Sequence, residues 1–420
     1  MLSFTNRAEE LAELDAHAKA GGLLVVYGRR RVGKTRLLTH WLRAKKGMYS
    51  QAIEAPQEFQ LAQVFADVRE GLQALLEPRT WTDFFRLVDR LPKAPLLCLD
   101  ELPYLVASDP TLPSVLQRWI DHRSNPHAAL IVSGSSTRMM NDVFLNRAAP
   151  LYGRARKLLA IAPMSYRAFC AACRQNPSKA ESFVKFSLVG GVPKYWEAVE
   201  PGQSAVELAE ALFFGASPQL EFEPQRLLKD EGIVGVTAPA VLEAIGRGAE
   251  KPSEVAGRLG TQQTNLSRLF QQLLDAHLLE RQLPYGESVR STKRTSYRIA
   301  DPTIRFWYHG YSPHRTRWSR YTLAEREQLL DRHAASVFED QLRALWPDAS
   351  RYWEGDVELD LVRAEGDELV VGEIKWAALG KTDRARAEHD LEAAFGRSKL
   401  AQRHRKVRFE VLDLRALQRL

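Results

Sequence analysis

Leu23-Leu-Val-Val-Tyr27, followed at once by Gly28-Arg-Arg-Arg-Val-Gly-Lys-Thr35, decides the fold of the first part of this 420-residue chain. The apolar run predicts a buried strand. The eight residues after it fit the spacing G-x-x-x-x-G-K-[ST] of a phosphate-binding loop set between a strand and a helix. Gly28 and Gly33 let the backbone turn its N–H groups onto phosphate oxygens. A helix starting near Gly33 points its positive end at the same anion. Lys34 is expected to reach the β- and γ-phosphates, and the Thr35 hydroxyl to ligate Mg²⁺. With Arg29, Arg30, Arg31, Val32 and Arg36, this stretch is the expected seat of ATP.

The second half of such a site lies downstream. Pro95-Leu-Leu-Cys-Leu-Asp100-Glu101 is an apolar run ending in two acids, the Walker B arrangement. Asp100 at the carboxyl end of a buried strand would hold Mg²⁺ through water, and Glu101 would act as general base. A third run, Ala128 to Ser133, leads into Gly134-Ser135-Ser136, where Ser133 or Ser135 could read the γ-phosphate or simply make a turn. Arg154 in Leu151-Tyr-Gly-Arg-Ala-Arg156 is the candidate arginine finger, in cis or across a subunit interface, with Arg156 and Arg147 beside it. Helices are expected at Ala8 to Ala20, Thr35 to Lys45, Pro56 to Leu76 and Leu112 to Asp121. Strands alternating with helices predict a parallel α/β sheet.

The length calls for two or three domains. The apolar fraction of 45% is that of a soluble globular protein. No apolar run is long enough to span a membrane, and the first residues lack the apolar core of a signal peptide, so a cytoplasmic location is expected. Three cysteines, Cys98, Cys170 and Cys173, do not make a disulfide framework. Cys170 and Cys173, a lone C-x-x-C pair, read as reduced core thiols. The net charge of +7 is a small excess that favours an acidic partner such as nucleic acid.

Three blocks follow: residues 1–204, the nucleotide-binding α/β domain with a helical extension; 205–325; and 330–420. In the second, a helix closing at Val241 to Gly246, a short helix Ser253 to Leu259 capped by Ser253, and a third helix capped by Thr261 and running to about Leu279 predict a winged helix. Leu266, Leu269, Phe270 and Leu273 would face inward. Gln262, Gln263, Asn265 and Arg268 would face outward, able to meet base edges and phosphates. A hairpin pairs Leu278–Pro284 with Ser296–Ala300. From 281 to 320, nine cations (Arg281, Arg290, Lys293, Arg294, Arg298, Arg305, Arg315, Arg317, Arg320) face two acids, Glu287 and Asp301. That balance suits a DNA backbone.

In the third block, strand-like Val357-Glu-Leu-Asp360-Leu-Val362 turns at Glu365-Gly-Asp-Glu into Glu368-Leu-Val-Val-Gly-Glu373-Ile374-Lys375-Trp376. Alternation sets Glu373 and Lys375 on one face. Glu339 on an upstream helix, Asp360 and Glu373 could converge to hold Mg²⁺, with Lys375 stabilising a pentavalent phosphate. Glu354, Asp356 and Glu358 compete with Glu339 for the first acidic position. The set Glu339…Asp360…Glu373-x-Lys375 resembles the PD-(D/E)-x-K nuclease core.

The order of parts resembles the archaeal-type P-loop ATPases, near the AAA+ and STAND NTPases. The shared features are Phe4, Asn6-Arg7, Glu10-Leu11, the arginine-rich loop Gly28 to Thr35, Leu99-Asp-Glu101, Gly134-Ser-Ser136, Leu151-Tyr-Gly-Arg154 and Gly190-Gly-Val-Pro193. The resemblance implies a P-loop sheet, a winged helix and a restriction-endonuclease-like C-terminal domain. It also implies that Asn6 and Arg7 lie on the adenine side of the nucleotide. The expectation is an ATP- and Mg²⁺-dependent ATPase acting on DNA, with nuclease activity at Asp360, Glu373 and Lys375, and a homo-oligomer as a further expectation. The alternative is a STAND-like regulatory ATPase whose third block binds without cleaving.

Overall fold

The computed structural model describes residues 4–290, 292 and 294–420. Five parallel strands open the fold: β1 (Gly22–Tyr27), β2 (Met48–Gln51), β3 (Leu96–Asp100), β4 (Ala129–Gly134) and β5 (Ala155–Ala160). Their order is β2-β3-β4-β1-β5, so β4 separates the strand before the phosphate loop from the strand ending in Asp100. Alternation assigns each side chain its face. Leu23, Val25, Leu97, Leu99, Leu130 and Val132 pack under the helices Gln57–Leu72, Trp81–Asp89 and Leu112–His122. Leu24, Val26, Cys98 and Ile131 pack under Ala8–Ala20 and Lys34–Leu42. A strand buried on both faces must be apolar throughout, which is why β1, β3 and β4 read as unbroken runs.

The four expected helices of this block are present, Ala8–Ala20 with the expected bounds and the other three with shifted ends. The third is Gln57–Leu72 rather than reaching Leu76, because Gln73 takes a left-handed conformation (φ 52°) that ends it. The carboxyl ends of β1, β3 and β4 meet at one edge of the sheet, where Tyr27 is in register with Gly134.

After β5 the chain becomes helical, and a single hydrophobic core runs from Tyr166 to Leu417. The buried helix Ala180–Val189 lies at its centre. Phe183 stands edge-on to Phe338, and both approach Trp376, joining the first block to the third. The second block contains the helices Glu223–Asp230, Thr237–Gly246, Pro252–Arg258 and Gln263–Asp275 and the ribbon β6 (Leu279–Gln282) with β7 (Ser296–Ile299). Two caps differ from expectation. The Pro252 helix is capped at Lys251, leaving Ser253 inside the first turn, and the next helix is capped at Gln262 rather than Thr261. That helix stops at Asp275, and His277 (φ 53°) turns the chain into β6.

Helix Leu323–Arg343, opened by the Thr322–Glu325 capping box, leads to a second sheet. Its strands are β8 (Ser350–Glu354), β9 (Val357–Glu365), β10 (Glu368–Ile374) and β11 (Val407–Leu412), in order β11-β10-β9-β8. Only the β10–β11 pair is parallel. Among the described residues, no helix is long and apolar enough to cross a membrane, and all three cysteines are free thiols. Burial pushes the Cys173 thiol up to about 12, as expected of a reduced core thiol.

Candidate nucleotide site and its surroundings

The loop Gly28 to Gly33 joins β1 to helix Lys34–Leu42 through backbone angles that suit glycine. Gly33 caps the helix at φ 98°. Gly28 has φ +148°, and a Cβ there would stand 2.6 Å from the Ile161 carbonyl. Any side chain at Gly28 would push the loop off the end of β5. Lys34 is buried and turned onto its own loop, donating to the carbonyls of Gly28 at 2.8 Å and Arg29 at 3.2 Å. Burial pulls its pKa down, with Glu101 and Asp100 opposing. A buried ammonium held only by carbonyls is poised to exchange them for phosphate oxygens.

Asp100, fully buried at the end of β3, is the hub of the site. Its Oδ2 accepts from the Thr35 hydroxyl at 2.6 Å and the Tyr49 hydroxyl at 2.8 Å; its Oδ1 accepts from Ser133 Oγ and from the Glu101 N–H. Thr35 and Asp100 are hard oxygen donors brought together at the phosphate end of the loop, so they fit Mg²⁺. Glu101 sits in the left-handed region (φ 58°), a strained conformation for this residue type. Its Oε2 accepts from the Ser135 N–H at 3.2 Å and Ser135 Oγ at 2.8 Å. Burial raises its pKa, against the pull of Lys34. Both candidate serines therefore reach the acids: Ser133 holds Asp100 and Ser135 holds Glu101. Tyr49, on the neighbouring β2, carried no motif signal.

The loop arginines behave unlike the rest of the expected nucleotide seat. Arg29 pairs with Asp301 and donates to the Tyr195 hydroxyl at 3.2 Å. Arg30 pairs with Asp230 at 2.6 Å, and Arg31 with the buried Glu223 at 2.5 Å. Glu223 also accepts from Tyr195 at 2.6 Å. All three acids belong to the second block or its edge. The guanidinium groups of Arg29, Arg30 and Arg31 are thus engaged away from the phosphate position, and the loop's N–H groups are what it offers an anion. Only the excess of cations in the loop hinted at partners elsewhere; nothing local marks Glu223, Asp230 or Asp301.

On the other side of the loop, Phe4, Thr5, Arg7, Val32, Gly33, Arg36, Met164, Pro193 and Trp196 line a pocket. Arg7, left-handed at φ 78°, donates to the carbonyls of Val32 at 3.1 Å and Ala162 at 2.9 Å and to Glu10 at 2.6 Å. It fastens the amino-terminal segment to the loop. Asn6 is exposed, and Phe4 stacks on His40 at 3.9 Å.

Arg154 departs from expectation. It clasps Asp121 through Nε at 3.0 Å and Nη2 at 2.9 Å. It precedes Ala155, which pairs with Leu23 at the start of β1. It therefore sits at the amino edge of the sheet, about 15 Å or more from the phosphate end at a strand rise of about 3.3 Å per residue. A finger acting in cis is ruled out by that separation.

In the second block, Leu266, Phe270 and Leu273 are buried, Leu269 is half-buried, and Gln262, Gln263, Asn265 and Arg268 are exposed, as the pattern predicts. The nine cations do not form one surface. Arg298 and Arg305 converge on Asp340, with Arg305 at 2.8 Å, and Arg343 joins them at 2.6 Å. Burial raises the Asp340 carboxyl, but Arg298 and its neighbours outweigh that and hold it below the usual range. Arg294 pairs with Glu287, and Arg281 lies over the Tyr297 ring at 5.6 Å. Arg290, Arg315, Arg317 and Arg320 are exposed, and Lys293 lies outside the described residues.

In the third block, Glu339, Asp360, Glu373 and Lys375 fall within electrostatic reach of one another. Burial, then the like charge of Asp360, pushes Glu339 up to about 7, against Arg343. Burial and Asp360 also raise Glu373, and burial raises Asp360. The acids are nevertheless spent on other partners. Asp360 Oδ2 accepts from the Ile374 N–H at 3.0 Å, Glu373 pairs with Lys375 at 2.5 Å, and Arg343 reaches Glu339 at 3.5 Å and the Asp360 carbonyl at 2.9 Å. Among the described residues, no three His, Cys, Asp or Glu side chains gather closely enough to hold a metal. The oxygen donors suit Mg²⁺ by type, but the expected cage is not drawn together. Of the competitors, Glu354 is tied to Lys399 and Tyr352, and Glu358 to Arg351.

Comparison with known proteins agrees with this geometry in the first block. Residues 4–199 match a family model described as an ATPase domain predominantly from Archaea. Residues 308–387 match one described as archaeal and bacterial proteins of unknown function. The uncharacterized protein MJECL04 of Methanocaldococcus jannaschii is 26% identical over 411 residues, covering 92% of this chain and 91% of its own. The Walker-type ATPase PABY2304 of Pyrococcus abyssi superposes with a TM-score of 0.54 at 18% identity, covering 72% of this chain and 95% of that one, a likeness of fold. The ORC2 protein of Aeropyrum pernix gives a TM-score of 0.46 at 15% identity, covering 80% and 96%. The loop, the Asp100–Glu101 strand end and the domain match together make the first part of this chain a P-loop ATPase domain.

Proposed function

We propose that the protein is a Mg²⁺-dependent ATPase that acts on DNA, and that its nucleotide state is passed to a winged-helix unit formed by residues 237–299. The observation that carries this reading is that all three loop arginines end on acids of the second block. A loop that shifts around a γ-phosphate must then pull on that block.

In this reading, Lys34 leaves the Gly28 and Arg29 carbonyls for the β- and γ-phosphates. Mg²⁺, held by Thr35 and Asp100, would neutralise phosphate charge. With Oε2 held by Ser135, Glu101 takes the proton of the attacking water on Oε1. The base lies toward Phe4, Trp196 and Pro193. Gln262, Gln263, Asn265 and Arg268 face DNA. Their helix runs beside Thr137–Phe144 of the ATPase domain, so a nucleotide-driven shift would change its access.

The test is fluorescence anisotropy with duplex and single-stranded DNA, titrated with salt, with and without ATP, beside Arg268→Ala. Salt-dependent affinity that ATP alters and the variant weakens is the expected result. Absence of DNA affinity at low salt refutes it.

A second activity is favoured by one observation, the mutual influence of Glu339, Asp360 and Glu373 beside Lys375. In this reading the third block is a Mg²⁺-dependent nuclease whose acids draw together around the metal when DNA binds. Incubation with plasmid and single-stranded DNA in Mg²⁺ or Mn²⁺, with and without ATP, beside Asp360→Ala, decides it. Cleavage lost in the variant supports the nuclease. Intact DNA throughout leaves a STAND-like regulatory ATPase whose third block binds without cutting.

A further inference from the structure

The turn that holds Glu101 is itself held from the second block. Glu231, 7% exposed, follows the helix Glu223–Asp230 and spends both carboxylate oxygens on the first block. Its Oε1 accepts from the Thr137 N–H at 3.1 Å, and its Oε2 from the Arg138 N–H at 3.2 Å and Ser136 Oγ at 3.1 Å. These donors open the helix Thr137–Phe144, where N–H groups have no partner within the helix and a negative charge is favoured. Ser136 also caps that helix, accepting from the Met139 N–H at 3.2 Å. The preceding residue is Ser135, whose N–H and hydroxyl hold Glu101. A single buried carboxylate thus pins the residues directly after the one that orients the acid beside the phosphate loop.

We propose that Glu231 is a positioning residue for ATP hydrolysis, fixing the Ser135 turn, and through it Glu101, from the second block. The inference rests on the reading of Glu101 as general base. It makes the turnover rate depend on where the second block sits, without any second-block residue touching the nucleotide.

The test compares full-length wild type, Ser135→Ala, Glu231→Ala and the double variant. Turnover is expressed per nucleotide-binding site, titrated with a fluorescent ATP analogue in the same preparation, so that a misfolded fraction does not count. Each single variant is expected to lower kcat about tenfold with KM for ATP held within about twofold. The double variant is expected to fall no further than the lower single one, because both act through Glu101. Glu231→Gln keeps the shape and one acceptor oxygen, so it should recover part of the turnover; it carries the test if the alanine variant does not fold. Unchanged kcat in the Glu231 variants, or a double loss equal to the product of the single losses, overturns the inference. Turnover that survives Glu101→Gln overturns instead the reading of Glu101 on which it rests.

Discussion

Asp301→Asn should loosen the ATPase domain from the second block more than any other single charge removal at that boundary. Arg29 and Asp301 are 11% and 6% exposed, and they pair across the two blocks. Deleting one partner of a buried pair leaves the other charge without compensation, at a cost of about 3–5 kcal/mol. The Tyr195 hydroxyl and the neighbouring Glu223 still face Arg29, which places the cost at the lower end, about 3 kcal/mol. Asparagine retains the oxygen that caps the following helix, where Asp301 Oδ1 accepts from the Ile304 N–H at 2.9 Å. The substitution therefore isolates the charge. Asp301→Ala removes the cap as well, which adds about 1 kcal/mol. Urea unfolding followed by tryptophan fluorescence reads the effect, taken at the earliest transition because a chain of several blocks need not unfold in one step. The paired control is the cycle with Arg29→Met, whose double variant should recover at least about 1 kcal/mol relative to the sum of the singles. A cost below about 1 kcal/mol for Asp301→Asn, with no coupling to Arg29, would refute the idea that this pair straps the blocks together.

Lys34→Ala should abolish ATP turnover and weaken nucleotide binding; unchanged affinity by calorimetry would remove the loop as the site. Arg154→Ala should leave turnover intact in dilute protein and cost at most about 1 kcal/mol, as an exposed pair does; a turnover loss approaching a thousandfold that appears only as protein concentration rises would place it across an interface. The two buried histidines should take stability away as pH drops from 6.5, while the raised carboxyls such as Glu339 act in the opposite sense. His17 and His333 are buried and neutral, each donating through Nε2 to a carbonyl, and burial lowers their pKa values to about 4 and about 3. Since their folded values lie below the unfolded 6.5, the unfolded chain binds the extra protons, and each histidine removes up to about 1.4 kcal/mol per pH unit until its folded value is reached. Urea midpoints at pH 7 and pH 5 measure this: between them the wild type should lose more stability, or gain less, than the variant with both histidines replaced by glutamine.

What the sequence disclosed was local. The strand, the loop and the helix from Leu23 to Leu42 are contiguous, and each residue's task follows from its distance along the chain to Gly28. The run ending in Asp100-Glu101 is equally self-contained. The inward and outward faces of Gln263–Asp275 follow from helical period alone. The contacts with Ser133 and Tyr49 on Asp100 needed the strand order, because β4 and β2 flank β3 only once the sheet is assembled. The basic excess from 281 to 320 overstates the free charge for a physical reason. Composition counts charges, whereas Asp340, 42 residues beyond Arg298, absorbs two of them. Arg154 was the candidate finger of the segment Leu151-Tyr-Gly-Arg-Ala-Arg156, yet it precedes a parallel strand that begins at the edge opposite the phosphate loop.

The arginine-rich loop also resolves a problem that its sequence poses. Arg29, Arg30 and Arg31, with Lys34, would place four cations around one phosphate-binding turn, and without counter-charges the empty loop would repel itself. Glu223, Asp230 and Asp301 offset the three arginines and leave Lys34 with the backbone N–H groups for the anion. The three pairs are not equal. Arg30 is 47% exposed, so its pair contributes less than about 1 kcal/mol. Arg29 and Arg31 meet partners that are 6% and 1% exposed, where an unmatched charge is costly. In the proposed reading, the loop arginines would carry a nucleotide-driven shift to the second block chiefly through Asp301 and Glu223. Of these, Glu223 is the better placed to sense the loop, because it also holds Tyr195, two residues beyond Pro193 in the wall of the pocket beside the loop. In the proposed reading, a change in the loop or in the wall of that pocket would reach the same buried carboxylate.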